Sequence, residues 1–197
     1  DMTLDVIDTM AKHPNICKYI HLPVQSGSNR ILKAMNRLHT REEYFTLIDS
    51  IRERIPECAI SQDMIAGFPT ETEEDHRDTL SLMEYVKYEF MFAYSERPGT
   101  LAARKIEDDV PEEVKKRRLA EIIDLQQKHS LYRTQAQVGK VVEVLIEGTS
   151  KKSADEWMGR NTQNTVVVFP KEHYKVGDFV NVKITNCTST TLIGEAV

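Results

Sequence analysis

The sequence predicts two architectures in succession: consecutive β/α units on a parallel sheet, then a small all-β barrel of the OB-like type. Three observations carry this. Short apolar runs alternate with helical periodicity as far as Gln137. The runs end in polar loops that contain Gly or Pro, and the first two loops lead into helical patterns. From Gly139 the period changes from helical to alternating and stays so for about 59 residues.

The first strand is Tyr19, Ile20, Leu22 and Val24, which breaks at Gln25-Ser26-Gly27-Ser28 into a helical pattern of Ile31, Leu32 and Met35. Thr40-Arg41-Glu42-Glu43 is a capping box, followed by Tyr44, Leu47, Ile48, Ile51 and Ile55 at helical spacing, with Pro56 as the stop. Residues 58–68 form a β-rich run ending in Gly67-Phe68-Pro69. Thr72-Glu73-Glu74-Asp75 is an acidic helix start that puts Leu80, Met83 and Val86 on one face. A third strand, 88–95, ends in Glu96-Arg97-Pro98-Gly99-Thr100. Asp108 to Glu112 opens a long charged helix whose thin stripe of Val114, Leu119, Ile122, Ile123 and Leu131 reads as a surface helix bridging two parts. Strands at 140–148, 165–170, 179–187 and 191–197, separated by turns such as Lys175-Val176-Gly177-Asp178, complete the chain. The expected domains are therefore 1–110, 111–138 and 139–197.

With 40% hydrophobic and 29% charged residues in 197, the composition is that of an ordinary globular protein. The net charge of −5 argues against a protein that coats nucleic acid without specificity. Residues 139–197 are neutral, with seven basic and seven acidic side chains, so affinity for an anionic polymer is expected there. Cys17, Cys58 and Cys187 are odd in number and far apart, which offers neither a disulfide framework nor a zinc or iron–sulfur ligand set. Reduced, cytoplasmic residence is the expectation. No uninterrupted apolar stretch approaches the ~18 residues of a membrane span, and no basic-then-apolar leader opens the sequence.

Several stretches admit a functional and a structural reading. Gln25, Ser26 and Ser28 can hydrogen-bond a polar ligand while Gly27 lets the backbone approach it; equally, Ser28 is an N-cap and Gln25 is solvated. Asp63 shares a strand face with Ile65, which leaves a carboxylate near a strand's carboxyl end that needs either a ligand or a structural partner. Gly67 and Pro69 suit turn chemistry, and Gly67 would also permit close approach of an adenine ring. The six histidines do not cluster. Lys151, Lys152, Trp157 and Arg160 bring cations and one ring together, as an RNA surface or as a solvated loop with Trp157 packed in the barrel.

Taken together, "LPVQSGSNRILKAMNRLHTREEY", "DMIAGFPTETEED", "AYSERPGTLAA" and "GTSKKSADEWMGRNTQNTVVVFP" resemble, in order and separation, the radical S-adenosylmethionine (SAM) methylthiotransferases. The likeness covers nearly the whole chain. It implies the second half of a radical SAM partial β/α barrel, a bridging helix, and the OB-like RNA-binding barrel called TRAM. Arg-Pro-Gly-Thr at 97–100, with Ser-Lys-Lys and Gly-Arg at 150–160, looks most like the branch that modifies tRNA. By resemblance Gln25 and Ser26 contact S-adenosylmethionine, Asp63 faces the same cavity, Gly67 and Phe68 lie near the adenine, and Arg37 is a further candidate. Arg97 is implied at the cavity or the substrate adenosine, and Lys151, Lys152 and Arg160 at tRNA phosphates.

The implied activity is transfer of a methylthio group to C2 of isopentenyladenosine beside the anticodon. Its cofactors are S-adenosylmethionine and two 4Fe-4S clusters, and its partners tRNA and a reductant such as flavodoxin. The C-x-x-x-C-x-x-C triad of the family is absent from the sequence, and no residue in it is assigned as catalytic or as a metal ligand. Asp1 falls inside what looks like a barrel helix, so the expectation is a piece of a longer enzyme, inactive by itself. Two alternatives stay open: the sister branch, which methylthiolates an aspartate of a ribosomal protein, and a non-catalytic RNA-binding arm.

Overall fold

A computed structural model describes residues 2–87, 90–94 and 106–197, with 90–94 followed through the backbone. In chain order its elements are α1 (Leu4–Lys12), β1 (Tyr19–His21), α2 (Asn29–Ala34), α3 (Arg41–Arg54), β2 (Ala59–Ile65), α4 (Glu73–Val86), β3 (Phe90–Tyr94) and α5 (Glu112–Gln135). Five strands follow: β4 (Val141–Thr149), β5 (Glu156–Asn161), β6 (Val166–Pro170), β7 (Phe179–Cys187) and β8 (Thr191–Ala196). They gather into two compact units, residues 20–53 with 60–127, and residues 1–19 with 54–59 and 128–197.

In the first unit the sheet order is β1-β2-β3. β2 and β3 pair in parallel from Ser61 opposite Phe90 to Ile65 opposite Tyr94. Ile60, Gln62 and Met64 of β2 are fully buried, whereas Asp63 and Ile65 on the opposite face are half-buried. Successive side chains of a strand point to opposite faces, so Asp63 and Ile65 share the less covered one. α3 begins with the expected capping box: the Thr40 N–H donates to Glu43 Oε2 at 2.8 Å and the Glu43 N–H to Thr40 Oγ1 at 3.2 Å. It lies against α4 through the Phe45 and Tyr85 rings, 4.5 Å apart and tilted by 46°, and the Tyr85 hydroxyl donates to Asp49 at 2.7 Å.

The buried face of α4 differs from the apolar stripe read in the sequence. Asp75, His76, Thr79, Leu82, Met83 and Val86 are buried, and Leu80 is only half-buried. Polar residues occupy the inward face because each finds a partner there, which removes the penalty of burial. α5 departs further. Ile123 and Leu131 are exposed, while Arg118, His129, Ser130 and Thr134 are buried with Ile122. Its inward face is mostly polar and carries little apolar signal.

In the second unit, strands β4-β5-β6-β8-β7 close into a five-stranded barrel of the OB-like type, in which only β6 and β8 pair in parallel. Val144, Ile146, Val167, Phe169, Val180, Val182, Ile184 and Leu192 fill it, each contributing roughly 1.5–3 kcal/mol by burial. The sequence supplied four of these strands. The fifth, β5, falls in the stretch read as a cationic loop, and it is the strand that closes the barrel between β4 and β6. Gly159 opposes Ile146 in that pairing, and a side chain there would collide with the Leu145 carbonyl oxygen and come within 2.7 Å of Val144 Cγ1. Gly159→Ala is therefore expected to destabilise the barrel by about 1–3 kcal/mol, measured by thermal unfolding; an unchanged Tm would show that the strands separate freely.

Candidate functional site

The turn at residues 25–28 follows β1 and is fixed from two directions. Gln25 has φ 75°, and its backbone is stitched to β2: its N–H donates to the Asp63 carbonyl at 3.1 Å, and its carbonyl accepts from the Ile65 N–H at 2.9 Å. Gln25 is therefore not solvated but 8% exposed. Its side chain makes no hydrogen bond among the described residues.

The close approach at Gly27 is to the backbone of α4: a side chain would meet the Asp78 carbonyl and Thr79 Cα. The Gly27 N–H donates to Thr79 Oγ1 at 3.0 Å. Ser26 is buried with its hydroxyl engaged, accepting from the Ser28 N–H at 3.2 Å and lying 3.5 Å from Thr79 Oγ1. Ser28 is the N-cap of α2, accepting from the Ile31 N–H at 3.4 Å. Arg41 closes the outer side, donating to the Gly27 carbonyl at 2.9 Å and to Ser81 Oγ at 2.9 Å.

Asp75 is the centre of these contacts. Its carboxylate accepts from Ser28 Oγ at 2.6 Å, from Arg30 Nε at 3.3 Å and Arg30 Nη2, and from the Thr72 N–H and hydroxyl at 2.8 and 2.6 Å. One side chain thus caps α4 and ties it to the start of α2. Burial pushes the Asp75 pKa up, but hydrogen bonds from Arg30, Ser28 and Thr72 more than reverse this and hold it far below the usual carboxylate range. Neither Asp75, Thr79 nor Arg41 was singled out in the sequence, although the T-x-x-D spacing of a capping box was there to be read. An open pocket of about 560 Å³ lies beside the turn, lined by residues that include Gly27, Asn29, Arg41, Glu42 and Asp78. Gln25, Ser26 and Asp63 are not part of it.

Asp63 lies on the open face of β2 with its side chain 35% exposed. His21 Nε2 is 3.6 Å from its carboxylate, and His21 Nδ1 is 2.8 Å from Ser61 Oγ. This face therefore presents a half-open carboxylate at the carboxyl end of a parallel strand, which suits a ligand offering hydroxyl or ammonium donors. Gly67 has φ 71°, and the space where a side chain would project is filled by the stem of Lys115. Phe68 is 8% exposed. Arg37 is exposed in the loop after α2. Arg97 lies outside the described residues.

On the barrel, Lys151 and Lys152 sit in the exposed bend between β4 and β5 and form no ion pair among the described residues. Arg160 is partly neutralised, with its Nε 3.3 Å from Glu147 Oε2 and its Nη1 donating to the Asn164 carbonyl at 3.0 Å. Trp157 packs against the barrel core, and the Lys171 amine stands 4.6 Å from the centre of its ring. Among the described residues no group of His, Cys, Asp and Glu can hold a metal ion, and no helix is long and apolar enough to cross a membrane.

These features define a class before they define a protein. Residues 1–83 match the Radical SAM superfamily and residues 135–197 match the TRAM domain. The chain is 71% identical over its full length to the tRNA-2-methylthio-N(6)-dimethylallyladenosine synthase of Christiangramia forsetii. It is 70% identical over its full length to that of Flavobacterium johnsoniae and 53% to that of Bacteroides fragilis. The chain is similar to these synthases along its whole length and spans 41% of the length of the first two relatives and 44% of the third.

Because Asp75 is held charged, its pairings stabilise the fold above the ordinary carboxylate pKa of about 4 and are lost as pH falls through its depressed value. Asp75→Asn is expected to lower stability at pH 7 by about 3 kcal/mol and to flatten the acid limb of the stability profile below about pH 4. Urea unfolding between pH 2 and 7 checks this; parallel curves for the two proteins would contradict it.

Proposed function

We propose that this chain forms part of a radical SAM enzyme that adds a methylthio group to C2 of isopentenyladenosine beside the anticodon of tRNA. The observation that carries the reading is 71% identity along the whole chain to a synthase whose name states that product. The joined Radical SAM and TRAM matches support it, since the second supplies an RNA-binding barrel to the first. The 1–110, 111–138 and 139–197 boundaries are kept as the division of labour: ligand side, bridging helix and RNA side.

S-adenosylmethionine, with 4Fe-4S clusters held elsewhere in the full enzyme and a reductant such as flavodoxin, supplies the radical chemistry in this reading. The part assigned to this chain is binding and orientation. Asp63 and Gln25 have the exposure or free hydrogen-bonding capacity to contact the ligand. Ser26 and Gly67, whose hydroxyl and open face are already engaged, shape its walls together with Phe68. Arg37 and Arg97 remain candidates at the rim. Lys151 and Lys152 serve as phosphate contacts, with Arg160 beside them; stacking of a base on Trp157 requires Lys171 to move off the ring. A cytoplasmic setting follows from a tRNA substrate.

Mass spectrometry of tRNA nucleosides from cells with and without the gene tests the activity. The methylthio mark should vanish from isopentenyladenosine in the deletion strain. Loss of a methylthio mass from a ribosomal protein with tRNA unchanged would transfer the chain to the sister activity. For the RNA side, Lys151→Ala with Lys152→Ala in the full enzyme should reduce the slope of log affinity for tRNA against log salt by about 2. An unaltered slope in filter binding would remove both lysines from the interface.

A further inference from the structure

The loop after β2, residues 67–70, is gripped by α5. The Arg118 guanidinium reaches from α5 to Glu71, where Nη1 donates to the carbonyl at 3.0 Å and to the carboxylate Oε1 at 3.0 Å. The same Oε1 accepts the Gly67 N–H at 3.3 Å. Arg118 and Glu71 are 4% and 7% exposed, so theirs is a buried pair whose loss leaves an uncompensated charge. Burial pushes the Glu71 pKa up, and Arg118 opposes the rise.

Other contacts to the loop come from the same helix or its approach. The Lys115 stem fills the space beside Gly67, and the Thr70 N–H donates to Asp109 at 2.6 Å. Arg30 holds Thr70 from the other side, donating to its hydroxyl at 3.2 Å. Those at Thr70 are exposed and contribute little; the Arg118 pair is the buried one.

We propose that Arg118 is a positioning residue for the Gly67–Thr70 loop: by holding Glu71, which holds the Gly67 N–H, it sets the affinity of the intact enzyme for S-adenosylmethionine without touching it. The inference rests on the reading above that this loop borders the ligand. It gives the bridging helix a task in ligand binding that its charged sequence did not suggest.

The test uses the full enzyme carrying Arg118→Met, Arg118→Lys, Asp63→Asn, or Glu71→Gln together with Arg118→Met. Two readouts are taken: hydrogen exchange of residues 66–71 in the absence of ligand, and S-adenosylmethionine affinity by equilibrium dialysis. Arg118→Met is expected to speed exchange in the loop and weaken binding about tenfold, with Arg118→Lys recovering part of both. The double variant removes the stranded carboxylate, so thermal stability should return while loop exchange stays fast and binding stays weak.

Unchanged exchange and affinity in a folded Arg118→Met protein would overturn the proposal. So would a double variant in which affinity returns together with stability, because the pair would then be merely structural. If Asp63→Asn weakens binding and Arg118→Met does not, positioning by Arg118 fails and the ligand reading survives. If Arg118→Met loosens the loop and neither it nor Asp63→Asn changes affinity, the ligand reading fails and the proposal fails with it.

Discussion

The Asp75 carboxylate is the constraint on which the β/α unit turns. Five hydrogen bonds converge on it, from Ser28, Arg30 and Thr72. A charge this well satisfied can remain buried, because charge-assisted bonds replace the hydration it gives up. The consequence is geometric: the N-termini of α2 and α4 are fastened together, and the turn at 25–28 lies between them. Thr79 and Arg41 then fix Gly27 against α4. The turn is shaped by its own protein; the Gln25 side chain makes no hydrogen bond among the described residues, and the Asp63 carboxylate on neighbouring β2 is partly exposed.

The acidic excess of the chain is used internally in the same manner. Glu73 is brought down to about 2 by the hydrogen bond from Arg117, against some loss of hydration and with help from Arg118. Arg117 also donates to Glu121 at 2.6 Å, and Glu121 pairs with His76 at 2.7 Å. A helix with a mostly polar inward face can dock when its charges are matched one by one by its neighbour, and α5 does so against the start of α4. Such matching fixes orientation more sharply than an apolar stripe, since each pair tolerates one geometry. It suits a helix whose register decides where a loop sits.

The barrel follows the opposite logic. Its core is apolar and alternates along each strand, so the pairing register is set by which side chains must point inward. Glycine at 159 permits β5 to pass close to β4, and the cations at 151 and 152 are left on an exposed bend with no internal partner among the described residues. The charge of these lysines is unmatched on a neutral domain, whereas that of Arg160 is shared with Glu147 and Asn164.

The amino-acid sequence by itself determined the succession of β/α units and barrel, the capping box at Thr40, the acidic start of α4, the N-cap at Ser28 and the shared face of Asp63 and Ile65. Each is a local pattern of spacing, with a physical cause confined to a few neighbouring residues. Four motifs in order also carried the resemblance to a family, because their joint occurrence is far more specific than any single turn. Tertiary structure alone decided that Gln25 is buried, that Gly27 serves helix packing, and that β5 is a strand. It alone brought Arg118 to Glu71, 47 positions away. A buried charge in a charged helix leaves no periodic trace, since what distinguishes it from a solvated one is a partner that only folding supplies.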